Sequence, residues 1–329
     1  MPWLFLYSAL TIPLFYAAGM MFWRDTHFVI MDFWRFWVVH LWVEDFLELF
    51  TTIMVAYIFV LIGVVRPKVA TTVIYLDIIL YSIGGVLGTM HHLYFSGAPA
   101  QHMALGAFFS AMEVIPLLML TYEAWRFMRL GGAEPGETTM STRPQDFPHK
   151  WAVMFLIAVG FWNFLGAGVF GFLINLPIVS YYEIGTAFTA NHAHGAMMGV
   201  YGMLAMAFMM FVARYFIPHD RSSERAMKWS FWSLNIGLAW MMFVNLIPLG
   251  ILQLHDSLTY GYWHARQIGF YSQPAARVIE WLRMPGDVIF IVGGILPVVY
   301  LSVRMLLNRN RPGEVDKGDQ TEKFTEPRK

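Results

Sequence analysis

The chain has 329 residues, of which 57% are hydrophobic and 13% charged, against roughly 25% charged in an average soluble domain. Lys+Arg and Asp+Glu balance at 22 each and Cys is absent. This excludes a water-soluble globular enzyme, a disordered chain, a charge-driven nucleic-acid partner, a thiolate metal site and a C-x-x-C-H haem attachment. Metal chemistry therefore falls to the 11 His and the carboxylates.

Apolar runs of 20 or more residues are long enough to cross a bilayer of about 30 Å. They predict eight membrane helices at about 2–23, 30–65, 69–95, 100–130, 148–175, 185–217, 226–255 and 277–308. The expected fold class is an all-α polytopic membrane protein, with a transmembrane domain over residues 1–308. The first run is too long for a signal-peptide core and lacks a basic start, so it reads as a span. The second exceeds what a bilayer needs and must tilt or project. The longest internal polar linker runs from Gly131 to Phe147, and the charged segment 309–329 reads as a disordered tail.

Basic residues set the orientation. The connections after the second, fourth and sixth helices, together with the C-terminal end, hold 17 of the 22 Lys and Arg. The opposite side holds only Arg24, Arg35, Arg266, Arg277 and Arg283. Both termini are expected on the cytoplasmic side.

With that topology, five imidazoles from three helices share one depth. His40 lies about ten residues into the second helix from the outer side, His91 and His92 just before the outer end of the third, and His192 and His194 about eight residues into the sixth. At 1.5 Å per residue they fall within ~10 Å of one another in depth. Ionisable groups inside a span are costly and mark function. His40 and Glu44 are spaced i, i+4 on one helix face, and Glu48 extends the stripe. Adjacent His91 and His92 reach one ion only if the helix is distorted near Gly88 or at its end. Three imidazoles with one carboxylate suit a first-row metal, and the oxygen donor favours iron over copper. His192 and His194, i and i+2, face opposite sides and can each serve a different flanking group, such as two haems. Glu113, in the fourth helix without a basic partner at i±4, is a candidate proton carrier. His27, His149 and His219 at helix ends read as interfacial, and His102 as structural. His255 and His264 near the last outer loop are weaker candidates for a cofactor edge. A metal-ion transporter is disfavoured by the divergence of His192 from His194 and by the lack of a continuous polar path.

The segments WRFWVVHLWVE (34–44), GTMHHLY (88–94), SAMEVIP (110–116) and NHAHGA (191–196) resemble the catalytic subunit of bacterial nitric oxide reductase, most closely its single-chain, quinol-dependent form. The likeness extends to GYWHAR (261–266) and WLRMPGD (281–287) and covers roughly residues 1–305. It implies a part of a twelve-helix haem–copper oxidase-like bundle in the bacterial inner membrane. By this resemblance His40, His91, His92 and Glu44 bind a non-haem iron. His192 is the axial ligand of high-spin haem b3 and His194 one axial ligand of low-spin haem b. Glu48 and Glu113 serve charge balance and proton supply, and Asp287 lies near the quinol pocket.

The implied reaction is 2 NO + 2 e⁻ + 2 H⁺ → N₂O + H₂O, with quinol as donor. Related oxygen reductases carry a cross-linked Tyr where this chain has Glu44, which argues for iron beside haem iron. The family's catalytic subunit has at least twelve spans against the eight read here. The four N-terminal helices, one of which carries the second axial His of haem b, are expected to be missing. The alternatives are a related oxygen reductase, a non-catalytic fragment, or one half of a split enzyme whose second chain supplies those helices.

Overall fold

In a computed structural model, which describes residues 2–130 and 147–308, the chain is a bundle of long helices with no strand among the described residues. We label them α1 (Pro2–Met21), α2 (residues 28–61), α3 (Pro67–His92), α4 (Ala100–Arg129), α5 (Lys150–Asn175), α6 (Ala187–Phe216), α7 (Arg221–Tyr260) and α8 (Pro274–Asn308). All except α2 are long and apolar enough to cross a membrane. Within α2, Glu48–Leu61 is a shorter apolar helix. The chain is thus an all-α, multi-pass membrane protein; each of the eight membrane helices expected from sequence has a helical counterpart, and among the described residues seven are long and apolar enough to cross. Most of the linker 131–147 and all of the tail 309–329 lie outside the described residues. Below, the end holding the α1–α2, α3–α4, α5–α6 and α7–α8 connections is called upper.

Few of these helices are regular. Wide turns with i→i+5 spacing occupy Trp37–Trp42 and Asp45–Phe50 in α2, Tyr81–Gly85 in α3, Asn163–Phe170 in α5 and His194–Gly202 in α6. In α7 and α8 such turns, Met241–Leu246 and Ile289–Ile295, directly precede Pro248 and Pro297. Proline has no N–H for the carbonyl four residues back, and the wide turn takes up the lost bond. In α4 the same defect breaks the helix outright: Ala100–Met112 ends, Glu113 and Val114 form a turn, and helix resumes at Ile115 beside Pro116.

Lipid supplies no hydrophobic drive between helices, so close packing of small residues must hold them. A Cβ on Gly166 would lie 2.5 Å from the backbone of Gly195, which places α5 and α6 in backbone contact. A Cβ on Gly106 would lie 2.6 Å from the His91 amide nitrogen, so α4 is pressed against the end of α3. Toward the lower half the core is large and apolar, with Phe59, Ile74, Leu120, Phe155 and Trp162 buried. The polar edge of Trp162 is satisfied by Asn235 Oδ1 at 2.8 Å, as a buried indole N–H in hydrocarbon requires.

The lower end is pinned by charges. Buried Arg214 of α6 pairs with Glu224 of α7 and donates to the Pro148 carbonyl at 2.9 Å, while Trp151 of α5 donates to Glu224 at 2.8 Å. His149, expected at the interface, is instead buried beside Phe147, Phe211 and Tyr215, and this burial pushes its imidazole down to about 4.

Asp220 caps α7 by accepting from the Ser223 amide at 2.7 Å and pairs with Arg304 of α8 at 2.9 Å. The hydrogen bond from Arg304 is the main reason its carboxyl is held down at about 2. A depressed carboxylate stabilises the fold above its unfolded value near 4 and loses that contribution as pH falls toward 2. Replacing Asp220→Ala should therefore cost about 1 kcal/mol at neutral pH. The deficit should vanish near pH 2 when thermal unfolding of detergent-solubilised protein is followed against pH.

Candidate metal centre

Four of the residues singled out from sequence meet in the upper half of the bundle. In a regular helix each four-residue step drifts by about 40° around the axis. The two wide turns of α2 take back that drift and keep His40, Glu44 and Glu48 on one stripe. The helix α3 ends in a tight turn over Thr89–His92, and this distortion lets two consecutive imidazoles converge. His91 Nε2 and His92 Nε2 are 2.9 Å apart, and His92 Nε2 is 3.0 Å from His40 Nδ1. One ligand atom from each of the three rings lies within 4.8 Å of the others. His40 and His91 are buried, and Phe36 stacks on the His92 ring at 4.8 Å.

The donor chemistry of this trio fits a cation. His92 Nε2 has a single in-plane orbital, holding either a proton or a lone pair, yet it faces two ring nitrogens. No placement of protons on neutral rings gives both contacts a good hydrogen bond. A metal ion among the three nitrogens meets all of them with lone pairs.

Glu44 approaches the trio through the other nitrogen of His40, with Oε2 at 2.8 Å from His40 Nε2, and Ser110 Oγ donates to Oε1 at 3.0 Å. Its carboxyl thus touches the trio at the ring edge away from His92. Glu113 sits at the break in α4, buried, against Gly84 and Gly85 of α3 and near Glu44 and Glu48. Neither of its carboxyl oxygens has a hydrogen-bond partner, nor does Glu48 Oε2.

His192 stands across a cavity of about 60 Å³ from His91 and His92, walled by Ala107, Ala111, Ala167 and Gly171. Its Nδ1 bonds the Gly166 carbonyl at 2.8 Å, so the proton sits there and the Nε2 lone pair is left available. His194 Nδ1 bonds the Ala190 carbonyl of its own helix at 2.7 Å, while Nε2 faces Arg283 Nη2 at 3.0 Å. The two rings therefore diverge, as their i, i+2 spacing requires, and a backbone carbonyl fixes the same tautomer in each. This is the arrangement in which imidazole serves as an axial metal ligand. Asp287 is apart from the trio; it pairs with Arg283 at 3.2 Å and thereby adjoins His194. A second cavity of about 310 Å³ lies beside Arg283, bounded also by Glu280, Tyr271, Asn245 and Thr186. His264 is engaged by Asp256 at 2.6 Å in the α7–α8 connection.

Sequence reading passed over Ser110, which orients Glu44, and two buried carboxylates, Asp45 and Asp77. Asp77 was detectable: it precedes His91 by 14 residues, about four helical turns, and so shares its face of α3. Ser110 carried no such signal, since its part depends on how α4 lies against α2.

A multi-pass helical bundle with a buried imidazole trio facing a fourth, backbone-fixed imidazole across a small cavity is a membrane metalloprotein of the redox type. Residues 1–289 match the family Cytochrome C and Quinol oxidase polypeptide I, and the chain belongs to that family. It is 29% identical over 269 residues to a nitric oxide reductase subunit of Stutzerimonas stutzeri, an alignment covering 79% of this chain and 53% of the relative. The chain spans about half the length of the curated relative it matches.

The tight approach of Gly106 to His91 generates a prediction. Gly106→Ala forces the end of α3 away from α4 and should weaken metal retention about 10–100-fold, the usual effect of disturbing what supports a ligand. Metal analysis after graded chelation checks this, with helix content by circular dichroism unchanged.

Proposed function

We propose that the chain is the metal-bearing bundle of a nitric oxide reductase, in which His40, His91 and His92 hold a non-haem iron with Glu44 as the accompanying oxygen donor. The observation that carries this reading is the imidazole trio, with a carboxylate one turn along α2 and with two of its rings, His91 and His92, lining a cavity shared with His192. His192 would hold a high-spin haem b3 and His194 a low-spin haem b; each presents a ring whose Nδ1 is already tied to a carbonyl. When bound, an iron held by His40, His91 and His92 and a haem held by His192 would supply binding sites for nitric oxide and the electrons that reduce it.

The chain's own residues then do three things. Ala107, Ala111, Ala167 and Gly171 leave space beside His91, His92 and His192 for a small molecule. The rings of His91, His92 and His192 fix the two binding positions on opposite sides of that cavity, so N–N coupling becomes a matter of proximity. Glu48 and Glu113, near Glu44, hold protons for the two consumed per N₂O formed, and their unpaired oxygens suit that duty. Glu44, in place of a tyrosine one turn after His40, supports nitric oxide over oxygen as substrate. Quinol is the proposed donor, entering on the Arg283–Asp287 side where His194 lies. In this reading both termini lie on the cytoplasmic side of a bacterial inner membrane.

As a second reading we propose that this bundle works with a second chain that completes the haem b site. Haem b and non-haem iron per chain, measured on the purified protein, separate the two. Two haems and one iron indicate a self-sufficient enzyme, and one of each a catalytic half awaiting its partner. Copper in place of iron would move the assignment to an oxygen reductase. For either reading, Glu44→Ala and His91→Ala should strip the iron and lower anaerobic NO consumption by at least about a hundredfold. Full iron in both variants would remove the assignment.

A further inference from the structure

The ring of His92 lacks the device that orients the other imidazoles of the centre. The torsion that turns a histidine ring is broad, so a ligand ring is normally aimed by a partner on its second nitrogen. His192 and His194 have a backbone carbonyl there, and His40 has Glu44. His91 is held by burial alone. His92 is only half-buried, and among the described residues nothing bonds its Nδ1. What its ring does have is a flat neighbour. The Phe36 ring lies within 6° of parallel to it, with the centroids 4.8 Å apart.

Phe36 is one rung of a ladder on α2. Asp32, Phe36, His40 and Glu44 follow at intervals of four, and each meets a neighbouring segment. Asp32 accepts from the Ser96 hydroxyl, Phe36 stacks on His92, His40 reaches His92, and Glu44 accepts from Ser110. Ser96 lies four residues past His92 in the tight turn Tyr94–Ser96, so its bond to buried Asp32 holds the chain just beyond the ligand. Arg35 joins the two upper rungs. Its guanidinium carbon lies over the Phe36 ring at 4.8 Å, and its Nε is 3.9 Å from Asp32 Oδ1.

Where a ring only fills space, another apolar side chain serves nearly as well. A parallel aromatic face is directional and favours one plane of the ring it meets. Resting on the reading of the trio as a metal site, we infer that Phe36 is a positioning residue of that centre. Its stacked ring sets the plane in which His92 presents Nε2, and the Asp32–Ser96 bond keeps the two rings in register. Phe36 touches no ligand atom and acts through His92.

The test titrates Co²⁺, whose visible absorption reports its ligands and their geometry, into the purified full chain after chelation. Phe36→Leu, apolar but without a flat face, should weaken Co²⁺ retention at least about tenfold and alter the spectrum, with helix content unchanged. Phe36→Tyr, which keeps the face, should restore both. Asp32→Ala should weaken retention, while Asp32→Asn, still an acceptor for Ser96, should not. Unaltered retention and spectrum in Phe36→Leu, or unaltered retention in Asp32→Ala, overturn the inference and leave the metal site standing, with His91→Ala as the variant that abolishes binding. Equal losses in Phe36→Leu and Phe36→Tyr, or a loss of helix content in Phe36→Leu, overturn it too, by showing a packing role. An unmutated chain that holds no Co²⁺ removes the metal site, and the role of Phe36 falls with it.

Discussion

One nitrogen governs the upper half of this protein. His92 Nε2 faces His91 and His40 at hydrogen-bond distance and can satisfy only one of them with a proton. A buried group with that conflict is costly unless something other than a proton occupies the gap. The surrounding irregularities follow from the need to bring the rings there. The helix α3 ends in a tight turn, α2 opens into two wide turns, α4 is pressed against α3 at Gly106, and Pro116 breaks α4 where Glu113 enters. Each departure from regular helix has a named cause, and they gather at the level of the site rather than along the whole bundle.

The two ends of the bundle are held by different physics. The lower half is a close-packed apolar core, tied by Arg214–Glu224 and Arg304–Asp220. The upper half is held by small-residue contacts and hydrogen bonds to backbone carbonyls, which leave room for side chains to face one another without filling the space between. The His192 and His194 rings are each fixed by one carbonyl, and His194 meets Arg283 on its other nitrogen. Such a division lets the lower half carry stability while the upper half keeps polar groups unsatisfied.

Much of this was legible in the sequence because membrane residence removes choices. Hydropathy marks eight helices, and the basic-residue bias sets His40, His91, His92, His192 and His194 at one depth. The i, i+4 relation of His40 and Glu44 survived because wide turns corrected a drift that a straight helix would have shown. What sequence did not yield was cross-helix detail. Ser110 on Glu44, Arg283 on His194 and the burial of His149 among three aromatic rings all depend on rotation and approach of neighbouring helices. Spacing along one helix cannot encode these.

The cavity between His91, His92 and His192 has two kinds of wall. Ala107, Ala111, Ala167 and Gly171 have no rotamers to turn, whereas Phe172, Asn175 and Ser110 line it with side chains that do. The chamber is therefore stiff on one side and adjustable on the other. Its Ala and Gly wall changes only when helices move apart, while a turn of Phe172 or Asn175 alters its capacity with the backbone at rest.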